Sequence, residues 1–398
     1  MSIRGAAMLF ALLVASTSAV NSQVPAANSQ QRSSPQSPTS TLQAAIDKLG
    51  KFEAPVRMAA SREVRRAPAA EAVPALINAA SSHADGYVRF RALVLLAGFN
   101  DARAREVMVA ALDEPNDRLR TVAYAYFEHN PERGMAARLL KKAETEDGEF
   151  VRPALTRALA AYGDQVEVQK TLASLVLRGQ DLYRSAVIDA LGDYKAAYAY
   201  TQIAEVAKID GPLQEDAVLA LGKIGDKRAL GVLQELQKSA PRARQPAIAG
   251  AICLLGINCD LHQKFVVDTM NFAEKNSGFQ DLLRAASRAL AALAVSGRED
   301  AATALVDAGL TAREYGRPTI ALAFGTVAIR NTPLTVKLLA ARSDLRESAL
   351  LLRDAFDMLE EDFEEERFFA TVRRTYWQAP EGSPQRKVAD ALIQVLEF

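Results

Sequence analysis

Hydrophobic residues return along the chain at a nearly constant interval. One apolar residue per unit marks the interval, and successive marks lie 30 to 35 residues apart, at Val64, Leu96, Phe127, Leu159, Leu191, Leu221, Leu255, Leu290 and Phe324. Counted from Val88 in the second unit, apolar or small residues are spaced i, i+4, i+7, i+8 and i+11. This spacing belongs to one face of an α-helix. Each unit therefore begins with a predicted amphipathic helix.

A polar turn follows the first helix in several units. Its residues are Asn100-Asp101, Gly163-Asp164 and Gly225-Asp226. Glycine and asparagine accept the left-handed conformation that ends a helix, and aspartate is a good N-cap for the next helix. Second helices are predicted at residues 106–112, 168–176 and 230–236. The repeating unit is thus helix, turn, helix.

The units share a motif as well as a period. It begins Val88-Arg89 in one unit and Val151-Arg152 in another, and its end reads Ala220-Leu221-Gly222-Lys223-Ile224-Gly225-Asp226 in a third. This pattern resembles the HEAT repeat in its short bacterial form, which is often called phycobilisome-lyase-like. The resemblance covers residues 42–324 and extends loosely to the C-terminus.

The resemblance implies an all-α fold, a right-handed α-solenoid of about nine to eleven stacked helical hairpins. It implies little about activity, because HEAT arrays serve as binding scaffolds, as pigment lyases and, rarely, as metal oxygenases.

The first 40 residues differ in composition from the repeats. Residues 1–19 combine a basic start, an apolar run and a small-residue cleavage site, as a signal peptide does. Residues 20–40 are rich in Ser, Gln, Pro, Asn and Ala, which predicts a disordered linker before Thr41 caps the first helix. Residues 41–398 form the predicted solenoid, with divergent C-terminal capping repeats from about residue 327. We expect an exported protein, periplasmic or extracellular, without an integral membrane segment in the mature chain.

Charge and motifs narrow the possible functions. Lys+Arg and Asp+Glu both number 48 among 398 residues, and without a dominant basic stripe we expect no nucleic-acid partner. The three histidines, His83, His129 and His262, are scattered over separate repeats, and the sequence contains no metal-binding or nucleophile motif. The sequence therefore predicts no catalytic residue, no cofactor and no metal.

Two cysteines, Cys253 and Cys259, lie six residues apart. In an unbroken helix they would be separated by about 9 Å along the axis, which is too far for a disulfide. A bridge requires the helix to end near Gly256. A disulfide and two buried thiols are both compatible with the sequence.

An arginine occupies the second position of the motif in five units, at Arg57, Arg89, Arg120, Arg152 and Arg184. This position borders the apolar stripe, so the side chain is expected to lie along the neighbouring unit and to bond the turn there. Asp101, Asp164 and Asp226 are expected to cap helices and to pair with these arginines. We interpret both sets as a structural ladder that ties repeats together.

The C-terminal part contains an acidic segment, residues 354–367, with the sequence DAFDMLEEDFEEER. A solenoid needs a polar outer face on its last unit, which favours a solvated capping helix here. A docking surface is the alternative, because Tyr376 and Trp377 follow and such residues are common in interface hot spots.

The partner-binding surface is predicted on the second helices of the central repeats, which we expect to form the concave face. Tyr194 and Tyr198 are four residues apart and would share a helical face. A basic rim would surround them, formed by Lys195, Arg138, Lys141, Lys142, Lys227 and Arg228. The function that follows is a non-catalytic exported scaffold for a protein or peptide partner. A lyase-type enzyme or accessory subunit, and an envelope-associated structural spacer, are the alternatives.

Overall fold

The structure, a computed structural model, describes residues 38–359 and 362–398. The predicted signal peptide and nearly all of the predicted linker lie outside this range. The described residues from Pro38 onward form one compact unit and contain helices but no strand. The α-helices are Pro38–Lys48 (α1), Ala54–Arg66 (α2), Ala69–Ser82 (α3), Gly86–Gly98 (α4), Ala104–Ala111 (α5), Asp117–His129 (α6), Met135–Thr145 (α7), Arg152–Ala160 (α8), Val166–Leu175 (α9), Asp181–Asp193 (α10), Tyr200–Ala207 (α11), Gln214–Ile224 (α12), Ala229–Ser239 (α13), Gln245–Leu254 (α14), Cys259–Lys275 (α15), Gln280–Val295 (α16), Glu299–Thr311 (α17), Arg317–Arg330 (α18), Thr332–Ala340 (α19), Leu345–Phe356 (α20), Asp362–Gln378 (α21) and Pro384–Leu396 (α22). The first helix begins at Pro38, so Thr41 lies inside it and is not its N-cap.

Helices α1–α20 alternate between two layers. The even-numbered helices pack side by side, for example α10 on α12 and α12 on α14, and form the inner layer. The odd-numbered helices cover them from outside. The nine periodic residues from Val64 to Phe324 lie on or at the end of even-numbered helices, and all are buried. The prediction of an all-α solenoid of stacked helical hairpins is therefore confirmed.

The concave face consists of the first helices of the predicted units, whereas the sequence analysis expected the second helices there. Small residues explain the difference. Gly192 of α10 faces Ala220 of α12, and Gly222 of α12 faces Ala251 of α14. A Cβ atom on Gly222 would lie 2.6 Å from the Cα of Ala251. A curved stack needs its closest helix contacts on the inner side, and the first helices carry the residues that permit them.

The last two helices leave the two-layer pattern. Helix α21 lies across the inner layer, in contact with α4 and α6 from the first repeats and with α18 from the last. Helix α22 then packs against α19, α20 and α21. We call the space that the inner layer encloses the lumen.

The acidic segment 354–367 is therefore not a solvated capping helix, and that expectation was wrong. Helix α20 ends at Phe356 and α21 begins at Asp362. Glu364 and Glu366 are buried, because α21 turns its first acidic residues towards basic groups of the inner layer.

Cys253 and Cys259 form a disulfide, with 4.0 Å between their Cα atoms. Helix α14 ends at Leu254, and Gly256 and Asn258 then adopt positive φ angles of 78° and 43°. This turn brings the two cysteines together, as a bridge requires. In the part of the chain that the structure describes, no helix combines the length and apolarity needed to cross a bilayer.

Candidate binding site in the lumen

A cavity of about 840 Å³ opens into the lumen beside α21. Its wall consists of the C-terminal ends of the inner helices α6 to α18 together with side chains of α21. Apolar residues such as Ile224, Leu254 and Val295 alternate there with charged residues. Cavities of this size are typical of sites that enclose a small molecule or part of a peptide.

A second cavity, of about 530 Å³, lies between α21 and the ends of α4 and α6. The two cavities share His129, Arg367 and Thr371, and we call them together the lumen groove. Four carboxylates and seven cationic side chains line it within the described residues, namely Asp101, Glu128, Asp193 and Glu364, and Arg105, Arg157, Lys195, Lys223, Arg330, Arg367 and Arg374.

Most of these charges are paired with each other. Arg157 bonds both Glu128, at 3.0 Å, and Asp193, at 2.9 Å. Lys223 bonds Asp193 at 2.8 Å and Asp189 at 2.7 Å. Burial alone would lower the pKa of Arg157, but the charges of Glu128 and Asp193 raise it above its usual range. The network therefore stays charged at neutral pH and connects α6, α8, α10 and α12.

Glu364 of α21 reaches the same wall. It lies 2.5 Å from His129 Nε2 and 2.7 Å from Arg367, with Arg330 at 3.9 Å. Burial favours the neutral acid, but the hydrogen bond from His129 and the charges of His129, Arg330 and Arg367 outweigh it. Together they lower the pKa of Glu364 to about 2. The carboxylate is thus ionised throughout the neutral range.

Glu128, His129 and Glu364 are a set that could bind a metal ion, since their ligand atoms lie within 4.8 Å of one another. Sequence reasoning missed this set because Glu364 is distant in the chain. However, Arg157 and Arg367 bond the two carboxylates. These guanidinium groups already neutralise the carboxylates, so a cation would have to displace them. The donor set fits an ion-pair network better than a metal site.

Three acidic residues of α21, which we call the acidic clasp, join α21 to the first repeats. They are Asp362, Glu364 and Glu366. Asp362 pairs with Arg91 of α4, and Glu366 pairs with Arg65 of α2 at 2.6 Å. Both Arg65 and Glu366 are almost fully buried. Acidic residues in the first turn are also favourable for the helix, whose N-terminus carries partial positive charge.

Tyr194 and Tyr198 do not share a helical face, and that prediction was wrong. Helix α10 ends at Asp193, Lys195 adopts a left-handed φ of 51°, and α11 begins at Tyr200. The Tyr194 hydroxyl donates to Glu128 at 2.9 Å in the lumen groove. The Tyr198 hydroxyl is buried and has no hydrogen-bond partner within the described residues.

The predicted basic rim does not form either. Arg138, Lys141 and Lys142 lie on the outer helix α7, where Arg138 and Lys142 pair with Asp113. Lys227 and Arg228 lie just before the outer helix α13, and Arg228 pairs with Asp226. Only Lys195 of this set lines the lumen groove. The physical reason is that the second helices face outward.

The motif arginines differ in their contacts. Arg89 pairs with Glu114 and donates to the Ala80 carbonyl, and Arg120 pairs with Glu146 at 2.8 Å, so both connect neighbouring repeats. Arg184 donates to the Val176 carbonyl, and Arg57 donates to the carbonyls of Lys51 and Phe52. Arg152 instead stacks on the ring of Tyr183, with 3.9 Å to the ring centre.

The expected pairing of these arginines with the turn aspartates was wrong. Asp101 pairs with Arg103 and Asp226 with Arg228, each two residues ahead in its own turn. Asp164 is exposed. A short local contact forms more readily than one across a repeat, which explains the difference.

Tyr376 and Trp377 lie near the C-terminal end of α21 and do not line the lumen groove, although Arg374, two residues earlier, does. Arg386 stacks on Tyr376 at 4.6 Å from the ring centre. Trp377 is 76% exposed. The two rings are perpendicular.

Comparison with known proteins finds a family match for the first repeats. Residues 42–128 match the family described as HEAT repeats. Similar solved structures include a Kap95p chain from a complex with RanGDP, at 14% identity and a TM-score of 0.39, with 90% of this chain and 54% of that chain covered. Importin beta gives 13% identity and a TM-score of 0.39, with 89% and 55% covered. This chain thus spans about half the length of those two chains.

A third structure is the complex of CpcE and CpcF of phycocyanin lyase from Nostoc sp., at 18% identity and a TM-score of 0.26, with 84% of this chain and 100% of that chain covered. No curated protein matches the sequence. The resemblance to HEAT repeats is confirmed over residues 42–128 by the family match, and the fold of the described residues is an α-solenoid.

Proposed function

We propose that the protein is a non-catalytic scaffold that binds a protein or peptide partner in the lumen groove. The observation that carries this proposal is the convergence of the inner helices α6 to α18, with α21, around one open cavity. A concave surface assembled from many repeats offers an extended contact area to a macromolecule. Each of its four carboxylates is bonded to a cation, which is unlike the arrangement of a nucleophile beside a general base.

The proposal includes export from the cytoplasm. Its support is the sequence of residues 1–19, which has the composition of a signal peptide. The Cys253–Cys259 disulfide is also in keeping with an oxidising compartment. We expect cleavage near Ala19, and the intact mass of the native protein measures it. A cytoplasmic species that still contains residues 1–19 would contradict export.

The binding proposal is tested by capture of partners from the native envelope extract with three forms of the full chain. The first is wild type. The second carries Lys195→Glu and Arg374→Glu in the lumen groove. The matched control carries Arg133→Glu and Lys141→Glu, which are exposed and lie before and on the outer helix α7.

A partner in the lumen groove should be captured by wild type and by the control, and lost with the groove variant. Equal capture by all three forms would refute the lumen groove as the site. A chromophore that copurifies in stoichiometric amount would instead favour the lyase-type alternative.

A further inference from the structure

We infer that the lumen groove recognises an acidic, amphipathic peptide segment of its partner, an inference that rests on the proposed function and names the partner's chemistry. The groove is basic although the whole chain is neutral. Seven lysines and arginines but four carboxylates line it among the described residues, whereas both charge types number 48 in the sequence.

The excess positive charge is accessible. All four carboxylates of the groove are bonded to cationic side chains. The side chains of Lys195 and Arg374, by contrast, are exposed and have no ion-pair or hydrogen-bond partner within the described residues. Arg367 lies between them in the groove, bonds the single carboxylate of Glu364, and is 41% exposed. These three cations can donate hydrogen bonds to carboxylates from outside the chain.

The inner layer already binds an acidic helix within the same chain. In the acidic clasp, three carboxylates within about one turn of α21 meet Arg91, His129 and Arg65, which belong to three different inner helices. Basic groups on this wall are thus spaced to meet acidic groups that project from one helix. The cations that remain available in the lumen groove are Lys195 of the wall and Arg367 and Arg374 of α21 itself.

The groove also requires apolar groups from its occupant. Ile224, Leu254, Val295 and Ile329 contribute to its wall, and Phe368 of α21 faces it. Ile224, Ile329 and Phe368 are buried, whereas Leu254 and Val295 are partly exposed, and a simple anion would leave these two in contact with water. An acidic peptide with apolar residues on one face satisfies both the charges and the apolar wall.

The test measures fluorescence anisotropy of a labelled peptide with the full chain. The probe is DAFDMLEEDFEEER, the sequence of residues 354–367, and the control probe replaces every Asp and Glu by Asn and Gln. We expect wild type to bind the acidic probe and not the neutral one, with affinity that falls as salt is added. Lys195→Glu with Arg374→Glu should weaken binding about tenfold or more, and Arg133→Glu with Lys141→Glu should not.

Equal binding of both probes, or equal binding by both double variants, would overturn the inference. So would equally tight binding of a single-stranded oligothymidylate of matched charge, because the groove would then be a general polyanion site. If the acidic probe does not bind but the native partner is still lost with the groove variant, the acidic chemistry is refuted and the proposed function stands. If capture of the native partner by the groove variant is also unchanged, both the acidic chemistry and the lumen groove as the binding site are refuted.

Discussion

Arg120 and Arg152 occupy the same position in successive repeats but stand in different surroundings. Arg120 bonds Glu146 through two nitrogens at 2.8 Å each and donates to the Glu114 and Pro115 carbonyls. Burial would raise the pKa of Glu146, but the hydrogen bonds from Arg120 and from the backbone lower it. Arg152 stacks on a tyrosine ring instead. The sequence motif alone does not distinguish the two roles.

Arg120→Ala should therefore lower the free energy of unfolding far more than Arg152→Ala. The first substitution leaves Glu146 buried without its cation, at a cost of about 3 kcal/mol. The second removes a cation–π contact worth about 1 kcal/mol or less. Urea unfolding of both variants measures the difference. Equal losses would mean that the ion pair contributes no more than the ring contact.

The periodic residues show what a sequence predicts well at this scale. Each mark from Val64 to Phe324 is buried, because burial of one helical face imposes a local period. The placement of Tyr194 and Tyr198 outside a common helical face could not be predicted in this way. Their spacing fits a helix, but Asp193 ends α10 and Lys195 turns the backbone.

At the scale of the helices, close packing within the inner layer depends on glycine. The Cβ that Gly222→Ala adds would lie 2.6 Å from a backbone atom of α14. We expect a loss of stability of about 1 to 3 kcal/mol from overpacking. The matched control is Gly231→Ala on the exposed face of α13, where nothing lies within 4 Å of the added atom.

Gly231→Ala should stabilise the protein by about 0.5 to 1 kcal/mol, because alanine favours the helix. Thermal unfolding of the two variants measures whether each substitution lowers or raises the stability of the protein. A stabilising Gly222→Ala would show that α12 and α14 move apart without penalty.

Helix α21 should make stability depend on acid pH. The pKa of Glu364 is lowered from 4.5 to about 2 in the folded protein. A lowered folded-state pKa gives stability that is complete above pH 4.5 and lost as the pH falls towards 2. For this buried group the loss is roughly 3 kcal/mol. Glu364→Gln should therefore reduce the difference between unfolding free energies measured at pH 6 and pH 3. Glu381→Gln, at an exposed turn, should leave that difference unchanged.

The inward position of α21 could not be predicted from the sequence. Glu364 and His129 are 235 residues apart, and Glu366 and Arg65 are 301 apart. Local periodicity carries no signal for such pairs. Local periodicity also does not show which of the two helices of a repeat faces inward, since both have an apolar stripe. The close contacts of Gly192 and Gly222 decide that question only in three dimensions.

At the scale of the whole molecule, the acidic clasp couples the two ends of the stack. Arg65→Ala should raise amide hydrogen exchange in α21 as well as in α2, because Glu366 loses its buried partner at 2.6 Å. Arg66→Ala is the matched control, since Arg66 is the next residue and is exposed. Faster exchange confined to α2 would mean that α21 is held without this pair.

The same contacts fix the number of repeats. A stack whose ends are independent can gain or lose a unit by gene duplication or deletion, and the remaining units keep their neighbours. Here an added unit between α6 and α18 would carry Arg65, Arg91 and His129 away from the residues of α21 that they bond. Each added or deleted hairpin there would therefore break all three contacts at once, so the array can change in sequence more easily than in length.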